Sequence, residues 1–192
     1  MEDSKETKDE IRSRMFKKME AIPESKKTEL TRMVRRRLFD FANFIESKIA
    51  MLYVNKPFEV PSREIIKKAL SQGKIIVLPD FGQPSRPIKL FKIDAPGEAP
   101  PAAAGEDDSE GSRAVPIECL DIVIVPGLAF DEKGGRMGSG NGHYDRVMPH
   151  LPITARKVAL AFEEQVIPQV NMESHDKYVD IIITEKRTIY KI

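Results

Sequence analysis

VPGLAFDEKGGRMGSGNGHYD, residues Val125 to Asp145, closes an apolar run that begins at Leu120 (LDIVIV) and changes character at Pro126-Gly127. A segment holding Asp131, Lys133 and Arg136 follows, then Gly138-Ser-Gly140-Asn-Gly142, then His143-Tyr144-Asp145-Arg146. The order predicts a strand, a loop, a glycine turn and the start of a helix. Glycines spaced two apart free the backbone for positive φ and let bare N–H groups approach a ligand. A helix opening directly after them adds unpaired N–H groups and the positive end of its dipole. Arg136 and Arg146 supply cationic partners, and Asp145 a hard oxygen suited to Mg²⁺. This is the pattern of a phosphate cradle; the plainer alternative is a glycine-rich hairpin on the surface.

Neither common nucleotide fingerprint fits. A Walker loop needs Lys-Ser/Thr after its last glycine, but Gly142 is followed by His143-Tyr144. A dinucleotide fingerprint starting at Gly138 would need glycine at position 143. Ser139 sits between glycines but is not the serine of a G-x-S-x-G nucleophile elbow, which directly follows a strand.

Working outward, the 192 residues suit a single domain burying about 70% of its unfolded surface. With 41% hydrophobic and 32% charged residues and a formal charge of +1, nothing drives the chain toward nucleic acid or an acidic membrane. Cys119 is the only cysteine, which excludes an internal disulfide and favours a reducing compartment. No apolar run approaches the roughly 18 residues of a membrane span, and MEDSKETKDEIRSR lacks the apolar core of a signal peptide. A soluble cytoplasmic protein is expected. His143, His150 and His175 have no metal spacing with one another or with Cys119, which argues against zinc.

Thr7 to Ala21 carries Ile11, Met15, Phe16 and Met19 on one stripe, a helical spacing, and Lys8 and Arg12 project together four residues apart. A second helix is expected from Glu24 to about Lys48, with Leu30, Met33, Val34, Leu38, Phe41 and Ile45 inward. Arg35-Arg36-Arg37 falls on it, and consecutive helical residues diverge, so a solvated face explains them better than nucleic-acid binding. Ile49 to Val54, a helix from Ser62 (its N-cap) to Gly73, and Lys74 to Leu78 form a β-α-β unit with a parallel pair. Glu59 then lies in a loop at the carboxyl end of a parallel strand, where ligands of open α/β sheets gather. Ile88 to Ile93 alternates like a strand with one wet face. Asp94 to Ala114 is acidic and rich in Pro, Ala and Gly, and reads as a flexible excursion. Further strands are expected at Lys157 to Phe162, Tyr178 to Ile183 and Thr188 to Ile192.

The stretch VPGLAFDEKGGRMGSGNGHYDR resembles the signature of the 5-formyltetrahydrofolate cyclo-ligase family, which reads close to VPGxAFDxxGxRLGxGxGYYDR. The resemblance runs almost end to end. Lys8 and Arg12 match an early K-x-x-x-R pair, and Leu52 to Gly73 matches a block whose acidic loop residue falls on Glu59. ECLDIVIVPG, ALAFEEQVIP and HDKYVDIIITEKR match further blocks in the same order. Only the excursion near 94–114 finds no counterpart.

The resemblance implies a three-layer α/β/α fold with a mostly parallel sheet, related to the ribose-phosphate isomerase and CoA-transferase group. It implies ATP- and Mg²⁺-dependent conversion of 5-formyltetrahydrofolate, free or polyglutamylated, to 5,10-methenyltetrahydrofolate; a monomer is expected. Arg136, Tyr144 and Asp145 are then the expected catalytic residues. Lys8, Arg12, Arg136, Gly138, Gly140, Asn141 and Gly142 would bind ATP; Glu59, His143 and Tyr144 would bind folate; Asp145 would hold Mg²⁺. Asn141 stands where many members have lysine or glycine, and His143 replaces the first of two aromatics. These departures support the alternative of a non-catalytic relative that binds nucleotide or folate. His143, if it lines the site, would make activity vary between pH 6 and 8.

Overall fold

The computed structural model describes residues 6–82, 88–98 and 113–191. Each apolar run of the sequence supplies a strand, in most cases shorter than the run itself, while the one from Ile75 extends past Leu78 to Asp80. β1 (Ile49–Met51), β2 (Ile75–Asp80), β3 (Lys89–Ile93), β4 (Ile122–Val125), β7 (Arg156–Leu160), β8 (Ile181–Ile183) and β9 (Thr188–Tyr190) form one seven-stranded sheet. Its order is β3-β2-β1-β4-β7-β8-β9, parallel except for the two edge strands. From β1 the chain moves outward to β2, then returns to β1's other side as β4. The crevice between the carboxyl ends of β1 and β4 is therefore a topological switch point, the usual ligand edge of an open α/β sheet.

β1, β4 and β8 are apolar at every position and β2 and β7 over their buried parts, because both faces are covered there, and alternate residues serve opposite cores. Ala50, Ile76, Leu78, Ile122, Ile124, Val158, Leu160, Ile181 and Ile183 face a core completed by α2 (Glu24–Phe39), α3 (Ala42–Glu46) and α4 (Arg63–Ser71). Met51, Val77, Val123, Val125, Ala159 and Ile182 face the other core. That second layer is thin: its helical part is α5 (His143–Val147) and the 3₁₀ turn Met148–His150, supported by Phe130 of the short hairpin β5 (Ala129–Phe130) and β6 (Arg136–Met137). The segment between β4 and the glycine turn is thus a hairpin rather than the open loop expected. Asp131 closes it, accepting from the amides of Lys133, Gly135 and Val170.

α1 (Lys8–Glu20) begins with a capping box between Thr7 and Glu10 and lays Ile11 and Met15 on Leu128, Ala129 and Met137 of the hairpin. A basic helix thereby sits beside the glycine turn. Phe16, expected inward, is 37% exposed and instead rests a ring against Phe58.

The helix expected from Glu24 to Lys48 breaks at Asp40-Phe41. In one continuous helix Phe39 and Phe41 would point about 200° apart. The break lets both, with Phe44, enter the core, and it turns Ile45 out to solvent. Met33 is also largely exposed. Ser62 does not cap α4 with its hydroxyl; its amide and hydroxyl bond to Asn55. The three arginines diverge as expected. Arg37 donates to the carbonyls of Thr184, Glu185 and Lys186, while Arg36 and Arg35 approach Asp40 and Glu64.

Most of the excursion expected to be flexible, residues 99–112, lies outside the described residues. Its ends are tied down rather than loose. Arg113 pairs with Glu98 and Asp94, and backbone bonds join Lys92 to Arg113 and Val115 to Leu90. Among the described residues, no helix is long and apolar enough to cross a membrane.

Candidate active site

A cleft of about 550 Å³ opens at the switch point. It is lined by Tyr53, Val54, Lys56 and Glu59 after β1, by Leu78 to Gly82 at the end of β2, and by Pro126 after β4. Arg136 to Asp145 form one wall, and Lys8, Arg12, His175 and Asp176 close the remaining side. All of the candidate residues, Lys8, Arg12, Glu59, Arg136, Gly138, Gly140, Asn141, Gly142, His143, Tyr144 and Asp145, therefore reach one cavity.

The glycine turn has the form an anion needs. Gly140 and Gly142 take φ of +112° and +61°, and a side chain added at either would meet only open space. None of the amides from Gly138 to Gly142 donates to another described residue, so the turn presents a row of available N–H groups. α5 is only a five-residue helix, however. The turn's own amides, not a long helix dipole, dominate this wall.

Arg136, expected as a cationic partner for phosphate, is itself buried and paired. It is 4% exposed, and its guanidinium donates to the Pro126 carbonyl at 3.2 Å and to Asp145 at 3.0 Å. It also lies 5.7 Å from the Tyr144 ring centre. Asp145 in turn accepts from the amide of Lys177 at 3.0 Å, so both its oxygens are engaged. Among the described residues no group of three or more His, Cys, Asp or Glu could hold a metal ion. Asp145 thus does not belong to a protein cage for Mg²⁺. The donor set fits an Mg²⁺ carried on phosphates, which needs one or two carboxylates besides.

The basic helix is anchored from a segment that spacing alone did not flag. Lys8 reaches Asp176 at 2.6 Å and Glu173 at 3.0 Å, while Arg12 pairs with Asp9 at 2.6 Å. Burial works against the charge of Lys8, but these two carboxylates outweigh it and raise its pKa. Arg12 and Arg136 each keep a buried Nε–H without a partner, donor capacity facing no acceptor.

Glu59 sits in a turn, Lys56 to Glu59, closed by its amide on the Lys56 carbonyl at 3.2 Å and by its carboxylate on the Lys56 amide at 2.8 Å. Phe58 adopts φ +72° at a turn position that favours glycine. Gln165 holds this strained loop in place. Fully buried, it donates Nε2–H to the carbonyls of Phe58, Gly127 and Leu128 and accepts from the Phe162 amide. It clamps the Glu59 loop to the turn that opens the signature. Burial raises the Glu59 pKa above 4.5 despite the lowering influence of Lys56 and Arg136. Burial, with Glu59 nearby, pushes the Tyr144 hydroxyl far above its usual range, so it remains a donor.

His143 stacks on Phe81, with centroids 4.4 Å apart and planes at 20°, and Tyr144 meets Phe81 edge-on at 5.2 Å. Burial, then Lys56 and Arg146, lower its pKa below 6.5. This lowering shifts the charge change expected between pH 6 and 8 toward the acid side. Phe81, Lys56 and Gln165 were missed as site residues. Gln165 and Asp176 lie in blocks that align with the family, but only the folded backbone shows their contacts.

Comparison with known proteins agrees with this geometry. The profile of the 5-formyltetrahydrofolate cyclo-ligase family matches residues 4–185. The chain is 26% identical to the mouse 5-formyltetrahydrofolate cyclo-ligase, covering 91% of this chain and 92% of that protein. It is 29% identical to a probable 5-formyltetrahydrofolate cyclo-ligase of Caenorhabditis elegans, with 96% of each covered. The solved structure of Aquifex aeolicus 5,10-methenyltetrahydrofolate synthetase superposes with a TM-score of 0.80 at 28% identity, covering 95% of this chain and 92% of that one. With its signature, its switch-point cleft and a profile match over nearly its whole length, this chain belongs to the 5-formyltetrahydrofolate cyclo-ligase family.

Proposed function

We propose that this protein converts 5-formyltetrahydrofolate to 5,10-methenyltetrahydrofolate with ATP and Mg²⁺. The observation that carries the reading is the meeting of the glycine turn, the basic pair of α1 and buried Glu59 in one cleft. A formyl oxygen is a poor leaving group. Bound ATP would supply its terminal phosphoryl group to that oxygen, after which nitrogen 10 of the folate closes the ring and phosphate departs. Mg²⁺ would neutralise charge on the phosphates.

The protein's share is positioning and charge. Amides of Gly138, Gly140, Asn141 and Gly142 hold phosphoryl oxygens. Lys8 and Arg12 cover them from α1. Arg136 and Asp145 fix one another and the Tyr144 ring, and Tyr144 keeps its proton as a hydrogen-bond donor. Glu59 accepts from the pterin, and the Phe81–His143 stack offers a flat apolar wall. One chain supplies every group this scheme uses, so it requires no second subunit. The non-catalytic alternative draws support from Asn141 and His143 alone, and neither removes a group that this scheme needs.

The experiment is an absorbance assay of 5-formyltetrahydrofolate with and without ATP and Mg²⁺. The near-ultraviolet band of the methenyl product should grow only when both are present. Ligand binding without that growth would identify the non-catalytic relative. On the acid side the rate should fall as Glu59 gains a proton, centred above 4.5 because its pKa is raised. Glu59→Gln should be slow and lose that limb. The linkage sign is that of any raised carboxyl: its contribution to stability is present below 4.5 and is lost as pH rises through the folded-state value.

A further inference from the structure

The cleft is lined by four Lys or Arg side chains and four carboxylates, so its formal charge balances. Three of the four cations meet a carboxylate directly: Lys8 with Asp176 at 2.6 Å, Arg12 with Asp9 at 2.6 Å and Arg136 with Asp145 at 3.0 Å. Lys56 differs. Its Nζ reaches from the loop after β1 to the facing glycine turn and donates to the neutral hydroxyl of Ser139 at 2.9 Å. Among the described residues it forms no ion pair. The turn it touches, Gly138-Ser-Gly-Asn-Gly142, carries no cation of its own.

An incoming anion must displace a bonded carboxylate from the three paired cations, but only a bonded hydroxyl from Lys56, whose charge the Glu59 carboxylate feels without an ion-pair contact. An anionic oxygen also offers the ammonium a direct charge–charge attraction that a neutral hydroxyl does not. The lysine is an exposed, compact charge on a flexible stem, able to shift by a few ångströms.

We propose that Lys56 binds the phosphoryl oxygens held by the glycine turn, exchanging the Ser139 hydroxyl for phosphate when nucleotide arrives. This rests on the ATP reading above and extends it to a residue on the opposite wall. The Lys56 amide also donates to the Glu59 carboxylate. Nucleotide captured by the side chain therefore stiffens the loop that carries the folate-side acceptor.

Calorimetric titration of the full chain with ATP, adenosine and 5-formyltetrahydrofolate, each alone, tests the proposal. Lys56→Gln should weaken ATP binding about tenfold or more, and Lys56→Arg should restore most of it. Adenosine and folate should bind both variants as they bind wild type. Equal ATP affinity in wild type and Lys56→Gln would overturn the proposal. So would a loss confined to folate that grows with each added glutamate, which would give Lys56 to the folate carboxylates instead. Failure of wild type itself to bind ATP would remove the proposed function and this inference together, a result distinct from either.

Discussion

Arg136→Met is expected to lower the unfolding free energy by about 3 kcal/mol and to abolish cyclo-ligase activity. The variant removes one half of a pair whose side chains are 3% and 15% exposed. Asp145 would keep only the Lys177 amide as a partner, and an uncompensated carboxylate in such surroundings is costly. The Pro126 carbonyl would lose its guanidinium donor as well. The double variant Arg136→Met, Asp145→Leu should regain much of the lost stability, because an apolar pair of similar size avoids the desolvation penalty. Activity should not return with it. Urea titration and the absorbance assay, run on both variants, separate the two effects. A double variant as unstable as the single one would contradict the assignment of this pair as a structural prop of the turn.

Gln165→Leu should be comparably severe at a position outside the lining of the cleft. One side chain serves the Phe162 amide and the carbonyls of Phe58, Gly127 and Leu128. Leaving several buried groups unmatched costs about 3 kcal/mol, a fall in Tm of roughly 6–12 °C for a chain of this size. The kinetic signature should point to the Glu59 loop, with KM for folate raised more than KM for ATP. Gln165→Glu should be no milder, because it sets a carboxylate against three carbonyl oxygens. Unchanged folate KM in a folded Gln165 variant would show that the clamp is structural only.

What the sequence disclosed, and what it hid, divides along one physical line. β1, β2, β4 and β8 are apolar at nearly every position, and β7 over Val158 to Leu160, so burial on both faces could be read directly. The β-α-β unit then placed Glu59 at the ligand edge, and the glycines marked a turn open to ligand. Contacts between segments were another matter. Nothing in Arg136 announces that Asp145 will neutralise it. Nothing in Lys56 shows that it spans the cleft to Ser139, and nothing in Phe81 shows that it will stack on His143. The α2–α3 break was hidden for a related reason: Phe39, Phe41 and Phe44 outweigh helix continuity only once a common core exists to receive them. Charge balance within the cleft likewise belongs to the assembled site.

The measurement closest to the central claim follows the formyl oxygen. Folate labelled with oxygen-18 in its formyl group would be turned over with ATP, and the released phosphate examined by mass. Phosphoryl transfer to that oxygen predicts one labelled oxygen in each phosphate formed. Unlabelled phosphate, with the label recovered in water, would contradict activation of the formyl group by ATP in this cleft.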